Sequence, residues 1–489
     1  MCRARRWHLD FKKALQAATG EHVFFVLEKG PGCSPSVELL LDLEKLLFRH
    51  SGPSPIDIVD PQELGPSFPI SDADLIINLS GNSNYTSDSC LTLVPLFEGA
   101  PEEDALLGAL VGGRAPAIEI RSSPSQEIVA RSAPALDKAR NVRERFEFVV
   151  KHAQRLLLRA LSAPRPSSSF RPVSSSYPSA RSIGRHMAGL ISSAALKRAY
   201  QLCLFSPHWR VGWRFVDDGG VWARHSLEGE QWNSIADPGH RFYADPFPFT
   251  FQGRTFVFVE DFDHHVGKGI ISAIPFDENG QIGPAVPVLS EPWHLSYPYL
   301  FEHRGEVWMI PESSQASKIS LYRADPFPSR WVHAADLMEG IDASDASIVQ
   351  FGGKWWIFAT VQDELGGAMD SLSLFWADDL FGPWLPHPAN PVLVDAAGAR
   401  QAGQFFLQEG QLWRPVQDCR AGYGRALGLA EVTLLNGQEY AQAVRTVLRP
   451  DTNWPGRRLH TLNRFGKLEC IDGSRNSPRF AANWVRPAY

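Results

Sequence analysis

Cysteine is scarce in this chain. The 489 residues hold six, Cys2, Cys33, Cys90, Cys203, Cys419 and Cys470, and no two form a C-x-x-C pair. That pattern argues against a structural zinc knuckle and fits a reducing compartment. Long apolar runs are missing as well. No stretch of about 20 apolar residues could cross a membrane as a helix. Positive charge is not in excess: 48 Lys and Arg stand against 54 Asp and Glu, a net charge of −6. No broad basic field follows, so nucleic acid is not expected as the main partner. The cluster Arg3, Arg5, Arg6 is too short to change that. The opening MCRARRWHLDFKKAL lacks the apolar core of a signal peptide, and the expectation is a cytoplasmic protein. A G-x-S-x-G elbow, a Walker loop and an H-E-x-x-H pair are also missing.

What is present is divided unevenly. At roughly 100–200 residues per domain the length suggests two or three domains. Fourteen of the 15 Trp lie after residue 200, so the two halves are built differently. Residues 163–180 (APRPSSSFRPVSSSYPSA) hold eleven Ser or Pro and no apolar period, the composition of a linker. The expected division is an α/β domain over 1–162, a Ser/Pro-rich linker over 163–182, a connecting helix over 183–208 and an all-β domain over 209–489.

The first part alternates. Residues 22–27 (HVFFVL) read as a buried strand, 36–48 as a helix, and 56–59 and 74–79 as strands. Residues 91–97 and 117–120 are further strands with a helix near 102–110 between them, and 140–161 form a long amphipathic helix. This alternation predicts an α/β layer domain. Residues 183–205 read as a helix with two open uses. It either lies on a membrane surface, with Arg185, Lys197 and Arg198 toward headgroups, or docks on the next domain.

The last part repeats. DPFPFTFQG at 245–253, YPYLFEHRG at 297–305 and DASIVQFGG at 345–353 each precede an apolar strand that ends in Glu260, Glu312 and Thr360. A fourth unit runs 402–410 and on to Gln417-Asp418; a looser fifth runs from His460 past Gly466 to Asp472. Units recur every 48–58 residues, the spacing of one four-stranded blade each, and the sum is a five-bladed β-propeller. The segment 213–232 is expected to supply an outer strand that closes the ring.

In such a ring the residue opening strand one and the residue closing strand two share one face. This gathers Asp245, Glu260, Asp261, Tyr297, Glu312, Asp345, Thr360, Asp418 and His460 around one mouth. Carboxylates crowded in an aromatic-lined site suit glycosidic cleavage, which needs one acid held protonated and one ionised carboxylate. Tyr243, Tyr297 and Tyr299 offer flat faces to a sugar ring. Asp-Pro also starts turns, Glu at a strand end can simply bond a neighbouring blade, and adjacent Glu260 and Asp261 point to opposite faces. His264-His265 reads as a solvated loop pair and GYGRALG at 422–428 as a β-turn. No cofactor or metal is called for by any motif. A calcium ion in the channel stays open, with no specific ligand set.

The phrases FYADPFPF, VFVEDF, LSYPYLFEH, MIPES, ASDASIV and RRLHTLN bring a resemblance into view. Residues 209–473 resemble the propeller domain at the N-terminus of plant glucosamine inositolphosphorylceramide transferases. That resemblance implies a transferase step housed in a separate domain. More distantly the arrangement is similar to arabinanase and β-xylosidase glycosidases. It then implies Asp245 as base or nucleophile, Asp345 as the residue tuning pKa in place of Tyr297, and Glu312 as acid. DLIINLSG and the following LVPLFEGAPEEDALLGALVGGRAPAIEI resemble the C-terminal half of a formyltransferase-type Rossmann domain. Its His-Pro-Ser turn has no counterpart here, and neither Asn78 nor Asn82 aligns firmly with the catalytic Asn.

The expected function is a carbohydrate-active, glycosidase-like protein acting on a cell-surface polysaccharide or glycolipid, with Tyr243, Glu260, Asp261, Tyr297, Asp418 and His460 as substrate contacts. Two alternatives stand beside it. One is a non-catalytic glycan-binding or scaffold module that partners glycan-biosynthesis enzymes. The other is formyl transfer from a folate to an amino sugar by the N-terminal domain.

Overall fold

The computed structural model describes residues 4–26, 35–48, 52–66, 69–80, 90–123, 125–137, 139–162 and 178–479. The chain divides into Met1–Ala195 and Leu196–Tyr489. Residues 163–177 of the expected linker lie outside the described residues, as does Asn82.

In the first unit, helices α1 (Arg6–Thr19), α2 (Pro35–Leu47), α3 (Glu103–Val111) and α4 (Val142–Ser162) accompany a sheet ordered β1 (Leu75–Ile77), β2 (Leu91–Phe97), β3 (Ile118–Ser123), β4 (Ile128–Ser132). Helix α4 forms as its spacing predicts. Phe146, Val149, Val150, Ala153, Leu156, Leu157 and Ala160 recur every three or four residues, and all are buried. Arg5, from the basic opening, is buried and donates through Nε to Glu103 at 2.6 Å. It is a core ion pair, not a nucleic-acid contact.

Three expectations for this unit need correction. Residues 22–26 form no strand and Phe24 and Val26 are exposed, since no described strand pairs with the apolar run; Leu27 lies outside the described residues. At 56–59 there is a single bridge, Arg5 to Ile58. The sheet is mixed. Only β1 and β2 run parallel, while β2–β3 and β3–β4 are antiparallel, so the repeated right-handed crossovers of a parallel sheet do not build it. Asn78 follows β1, and its Oδ1 accepts both the N–H and the hydroxyl of Ser80, at 3.0 and 2.9 Å.

Helix α5 (Ala180–Cys203) carries exposed Arg185 and Arg198; the Lys197 side chain lies outside the described residues. Among the described residues no helix is long and apolar enough to cross a membrane.

The second unit is built of antiparallel sheets. It opens with β5 (Leu204–Phe215) and β6 (Asn233–Ser234). The first sheet is β7 (Arg241–Phe251), β8 (Arg254–Asp263), β9 (Lys268–Phe276) and β10 (Val286–Leu289). The second is β11 (Ser296–His303), β12 (Glu306–Glu312), β13 (Lys318–Ala324) and β14 (Trp331–Glu339). The third is β15 (Asp342–Phe351), β16 (Lys354–Gln362), β17 (Ser371–Ala377) and β18 (Leu385–Pro386), with β19 (Leu393–Val394) also on β17. The fourth is β20 (Phe406–Gln408), β21 (Gln411–Asp418), β22 (Ala426–Leu435) and β23 (Tyr440–Leu448). The fifth joins β24 (Leu462–Phe465) and β25 (Leu468–Pro478) to β5 and β6. The added strands are therefore Leu204–Phe215 and Asn233–Ser234, and of the expected segment 213–232 only residues 213–215 contribute. β5 pairs with β25 from Leu204 to Phe215, so residues 204–208 are strand and not helix.

Each of the first four sheets starts with a two-residue hairpin loop. Gln252-Gly253, Arg304-Gly305, Gly352-Gly353 and Glu409-Gly410 all have positive φ at both positions. This is the turn whose twist matches antiparallel strands, and its second position favours glycine. The loops place the registers in step: Ala244 pairs with Glu260, Ser296 with Glu312 and Ser344 with Thr360. Directly after Ala244, Ser296 and Ser344 the ladder breaks into a bulge. Asp245, Tyr297 and Asp345 sit there with φ of 48°, 43° and 54°. A bulged residue has its N–H freed from the ladder. Those three N–H groups need other acceptors.

Candidate functional site

Carboxylates of neighbouring sheets supply those acceptors. Asp472 Oδ2 accepts the N–H of Asp245 at 3.1 Å. Asp245 Oδ2 accepts the N–H of Tyr297 at 3.2 Å. Glu312 Oε2 accepts the N–H of Asp345 at 3.1 Å. Each link passes from one sheet to the next. The result is a pocket of about 400 Å³ around which Asp245, Glu260, Glu312 and Asp345 converge with His264, His294, His460 and Arg400. Trp209, Phe242, Phe262 and Tyr423 supply aromatic surface, the mixture of flat apolar faces and fixed polar groups that suits a sugar.

Three sub-clusters divide the polar groups. In the first, Asp245 Oδ1 accepts the Thr461 hydroxyl at 2.8 Å, and His460 Nε2 stands 3.7 Å from the same oxygen. His460 Nδ1 donates to Asp472 at 2.7 Å, and its ring stacks on Trp209 at 3.9 Å. Burial opposes the charge on His460, but the Asp472 and Asp245 carboxylates outweigh it and hold its pKa above the ordinary value. Burial pushes Asp245 up to about 6; the His460 charge pulls against this, and Asp472 and Asp345 add to it.

In the second, Asp345 Oδ2 accepts Arg400 Nε at 2.6 Å and Gln417 Nε2 at 3.2 Å. Arg400 also reaches Glu312 Oε2 at 3.8 Å and donates to the Ala368 carbonyl at 2.6 Å. Burial pushes Asp345 up to about 7 despite Arg400, with Glu312 adding to the rise.

In the third, Glu260 Oε1 lies 3.5 Å from His294 Nε2. His294 Nδ1 accepts the Gly269 N–H at 2.8 Å, so that nitrogen carries no proton and Nε2 does. Burial lowers the His294 pKa, consistent with a neutral ring. Burial, reinforced by Asp245 and Glu312, raises Glu260 well above the usual carboxylate range. Burial thus raises both Glu260 and Asp245 above the ordinary carboxylate range.

Residues 231–470 match one family model: glucosamine inositolphosphorylceramide transferase 1, N-terminal. The stretch is 32% identical over 248 residues to glucosamine inositolphosphorylceramide transferase 1 of Oryza sativa subsp. japonica, covering 48% of this chain and 33% of that protein. The Arabidopsis thaliana protein of the same name is 29% identical over 248 residues, covering 48% and 32%. The chain spans about a third of the length of the curated relatives it matches. Among solved structures, Zg3597, a family 117 glycoside hydrolase from Zobellia galactanivorans, aligns at 14% identity over 54% of this chain and 90% of that one, TM-score 0.36. RS223-Beta-xylosidase aligns at 12% identity over 49% and 95%, TM-score 0.33.

Asp245, Glu260, Glu312, Asp345 and His460 line the pocket as expected from the repeat; four other expected contacts do not. Asp261 faces the opposite side of its sheet, bound by Arg241 Nε at 2.9 Å and the Ser272 hydroxyl at 2.8 Å. Tyr243 pairs with it across the ladder and packs with Val257 and Val259. Asp418 misses by one residue. Gln417 holds the position equivalent to Glu260, and alternation turns Asp418 away, onto Arg420 at 2.7 Å. Tyr297 is a buried strut. Its hydroxyl accepts the Gly403 N–H at 2.7 Å and meets Ser347 Oγ at 2.9 Å. Tyr299 and Thr360 are buried away from the pocket too. His264 is no solvated loop residue. It stacks on Phe205 at 4.4 Å, and its Nε2 stands 3.1 Å from His208 Nδ1.

Sequence reasoning missed Trp209, Phe242, Phe262, His294, Arg400, Tyr423, Thr461 and Asp472 as site residues. Asp472 and Thr461 lie in the fifth repeat and were within reach of the pattern. Tyr423 sits in the glycine-rich turn, between Gly422 and Gly424 at φ of 121° and 61°, and a side chain projected by such a turn was the available signal. Arg400 lies in a loop and follows no repeat.

Proposed function

We propose that the second unit is a five-bladed β-propeller whose pocket binds a sugar of a cell-surface polysaccharide or glycolipid and acts on its glycosidic bond. The observation carrying this is the convergence of Glu260 and Asp245 in one aromatic-walled pocket, where burial raises Glu260 well above the usual carboxylate range. The named relatives, glucosamine inositolphosphorylceramide transferases, support a carbohydrate and a glycolipid as the substrate class. In this reading Glu260 gives its proton to the leaving oxygen as the bond to the anomeric carbon breaks. Asp245 either attacks that carbon or takes the proton of the attacking water. Asp345, held by Arg400, sets the local charge. Glu312, the acid implied by the glycosidase resemblance, makes acceptor contacts instead, to the Asp345 N–H and toward Arg400, so the donor role passes to Glu260. A turnover screen of the purified protein against cell-surface glycans and aryl glycosides tests this, beside Asp245→Asn, Glu260→Gln and Glu312→Gln. Loss of turnover in Asp245→Asn and Glu260→Gln supports it.

A second reading is favoured by one observation. Asp472, Asp245 and Glu312 already serve as acceptors for bulge N–H groups, so a structural duty accounts for them. The unit would then be a glycan-binding or scaffold module beside biosynthetic enzymes. Glycan binding that survives Asp245→Asn, with turnover in no form, supports that reading. The first unit enters the proposal as a formyltransferase-like domain without its chemistry, Asn78 being committed to Ser80; no binding of a formyl-folate analogue is the expected calorimetric result.

A further inference from the structure

A second pocket, of about 590 Å³, is lined by Arg420, Arg425, Arg449 and Arg457, with Asp418 as its carboxylate. Two loops build it. One joins β21 to β22 and the other joins β23 to β24. They are tied together: Leu459 N–H donates to the Gly424 carbonyl at 2.8 Å, and Arg458 Nη1 donates to the Tyr423 carbonyl at 2.9 Å. The same two loops carry Tyr423 and His460, which line the carboxylate pocket. One shared wall thus presents an aromatic and a histidine to one pocket and guanidinium groups to the other.

The charge balance of the second pocket is lopsided. Asp418 is taken by Arg420 through both oxygens, at 2.9 and 2.7 Å. Arg425 donates only to the Arg457 carbonyl, at 3.3 Å. Among the described residues no carboxylate pairs with Arg425, Arg449 or Arg457, and all three are exposed. The chain as a whole carries a charge of −6, so three uncompensated guanidiniums around one concavity stand against the general trend. Guanidinium forks match the oxygens of a phosphate, bind it through paired hydrogen bonds and lose little of their order in doing so. Several converging on one cavity favour a multiply charged tetrahedral anion over a single carboxylate. The volume accommodates a phosphorylated head group and not merely an ion.

We infer that this arginine-lined pocket binds the phosphoryl group of a phosphate-bearing ligand beside the carboxylate pocket. The inference stands apart from the chemistry assigned to Asp245 and Glu260, and Asp245→Asn leaves it untouched. The donor is either a soluble sugar phosphate or a phospholipid head group. Calorimetry with glucose 6-phosphate against glucose probes the first. Sedimentation with phosphatidylcholine vesicles, with and without phosphatidylinositol, probes the second. The expected result is binding of the phosphorylated form in one of the two arms, weakened about tenfold or more by Arg449→Ser/Arg457→Ser and unaffected by Arg304→Ser, a charge removed elsewhere. Among the described residues the side chains of Arg449 and Arg457 hold no hydrogen bond or ion pair, and the Arg457 carbonyl that Arg425 uses is kept, so the variant keeps its fold, checked by an unchanged Tm. Equal affinity for phosphorylated and unphosphorylated probes, binding in neither arm, or equal weakening by Arg304→Ser overturns it.

Discussion

Tyr297 donates its backbone N–H to Asp245 Oδ2 at 3.2 Å. Both residues hold left-handed backbone at the bulges of adjacent sheets, so the side chain of one bulge satisfies the amide of the next. A pocket carboxylate is thereby fixed in place by the fold, through an amide that has no ladder partner. Preorganisation of that kind is what a base or nucleophile needs, since its position costs nothing further when substrate arrives.

Asp245→Asn should abolish turnover while preserving glycan binding, because the amide keeps one acceptor oxygen for the Tyr297 N–H and can donate to the Thr461 hydroxyl, but cannot serve as base. In the native protein kcat/KM should rise as pH passes through about 6, where Asp245 ionises. A flat profile from pH 5 to 8 would sink the assignment.

The same substitution predicts a stability difference. Folded Asp245 titrates at about 6, against an ordinary value of 3.8. Between those values the folded state holds a proton the unfolded state has lost, so this group's contribution to stability falls as pH rises through the window. Asp245→Asn removes the fall. Its Tm relative to wild type should be higher at pH 8 than at pH 4, a difference of order 2 kcal/mol. Parallel Tm-versus-pH curves would contradict it.

Glu260→Gln and Glu312→Gln separate the proton donor from its neighbour. A leaving group that departs without protonation does not need an acid. Glu260→Gln should therefore cost about 10²–10⁴-fold with an alkyl glycoside and far less with a dinitrophenyl glycoside. Glu312→Gln should show no such dependence. The reverse pattern would return the acid role to Glu312.

Tyr297→Phe should lower stability by about 1–3 kcal/mol, since the Gly403 N–H is left buried without its acceptor. KM for a glycan should stay unchanged, because the hydroxyl lies outside the pocket. A raised KM would make Tyr297 a substrate contact after all.

Arg400→Met should destabilise by about 3–5 kcal/mol, by leaving buried Asp345 and half-buried Glu312 without their cation. Asp345→Asn in the same chain should recover part of the loss in a double-mutant cycle. Simple additivity of the two would mean the pair is not coupled.

Much of this molecule was legible in the sequence because repetition is local information. A hairpin glycine at a constant offset sets the register, and register decides which face each side chain takes. That is why Asp245, Glu260, Glu312 and Asp345 were found together while Asp418, one residue out of step, was not. The described part of the run at 22–27, residues 22–26, failed for the opposite reason: an apolar stretch becomes a strand only where a partner strand exists, no described strand pairs with it, and nothing in the run itself says so.

Local pattern by itself determined the sheets of the second unit, the amphipathic helix α4 and four of the pocket's carboxyls. Tertiary structure alone decided their electrostatic surroundings. The Glu260 carboxyl is raised by burial and by the Asp245 and Glu312 carboxylates, which come from other strands. Arg400 reaches Asp345 across 55 residues of chain. Asp472 fills the hydrogen-bonding gap left by a bulge it is 227 residues away from. Charge and desolvation act through space, and the order of residues along the chain does not encode those distances.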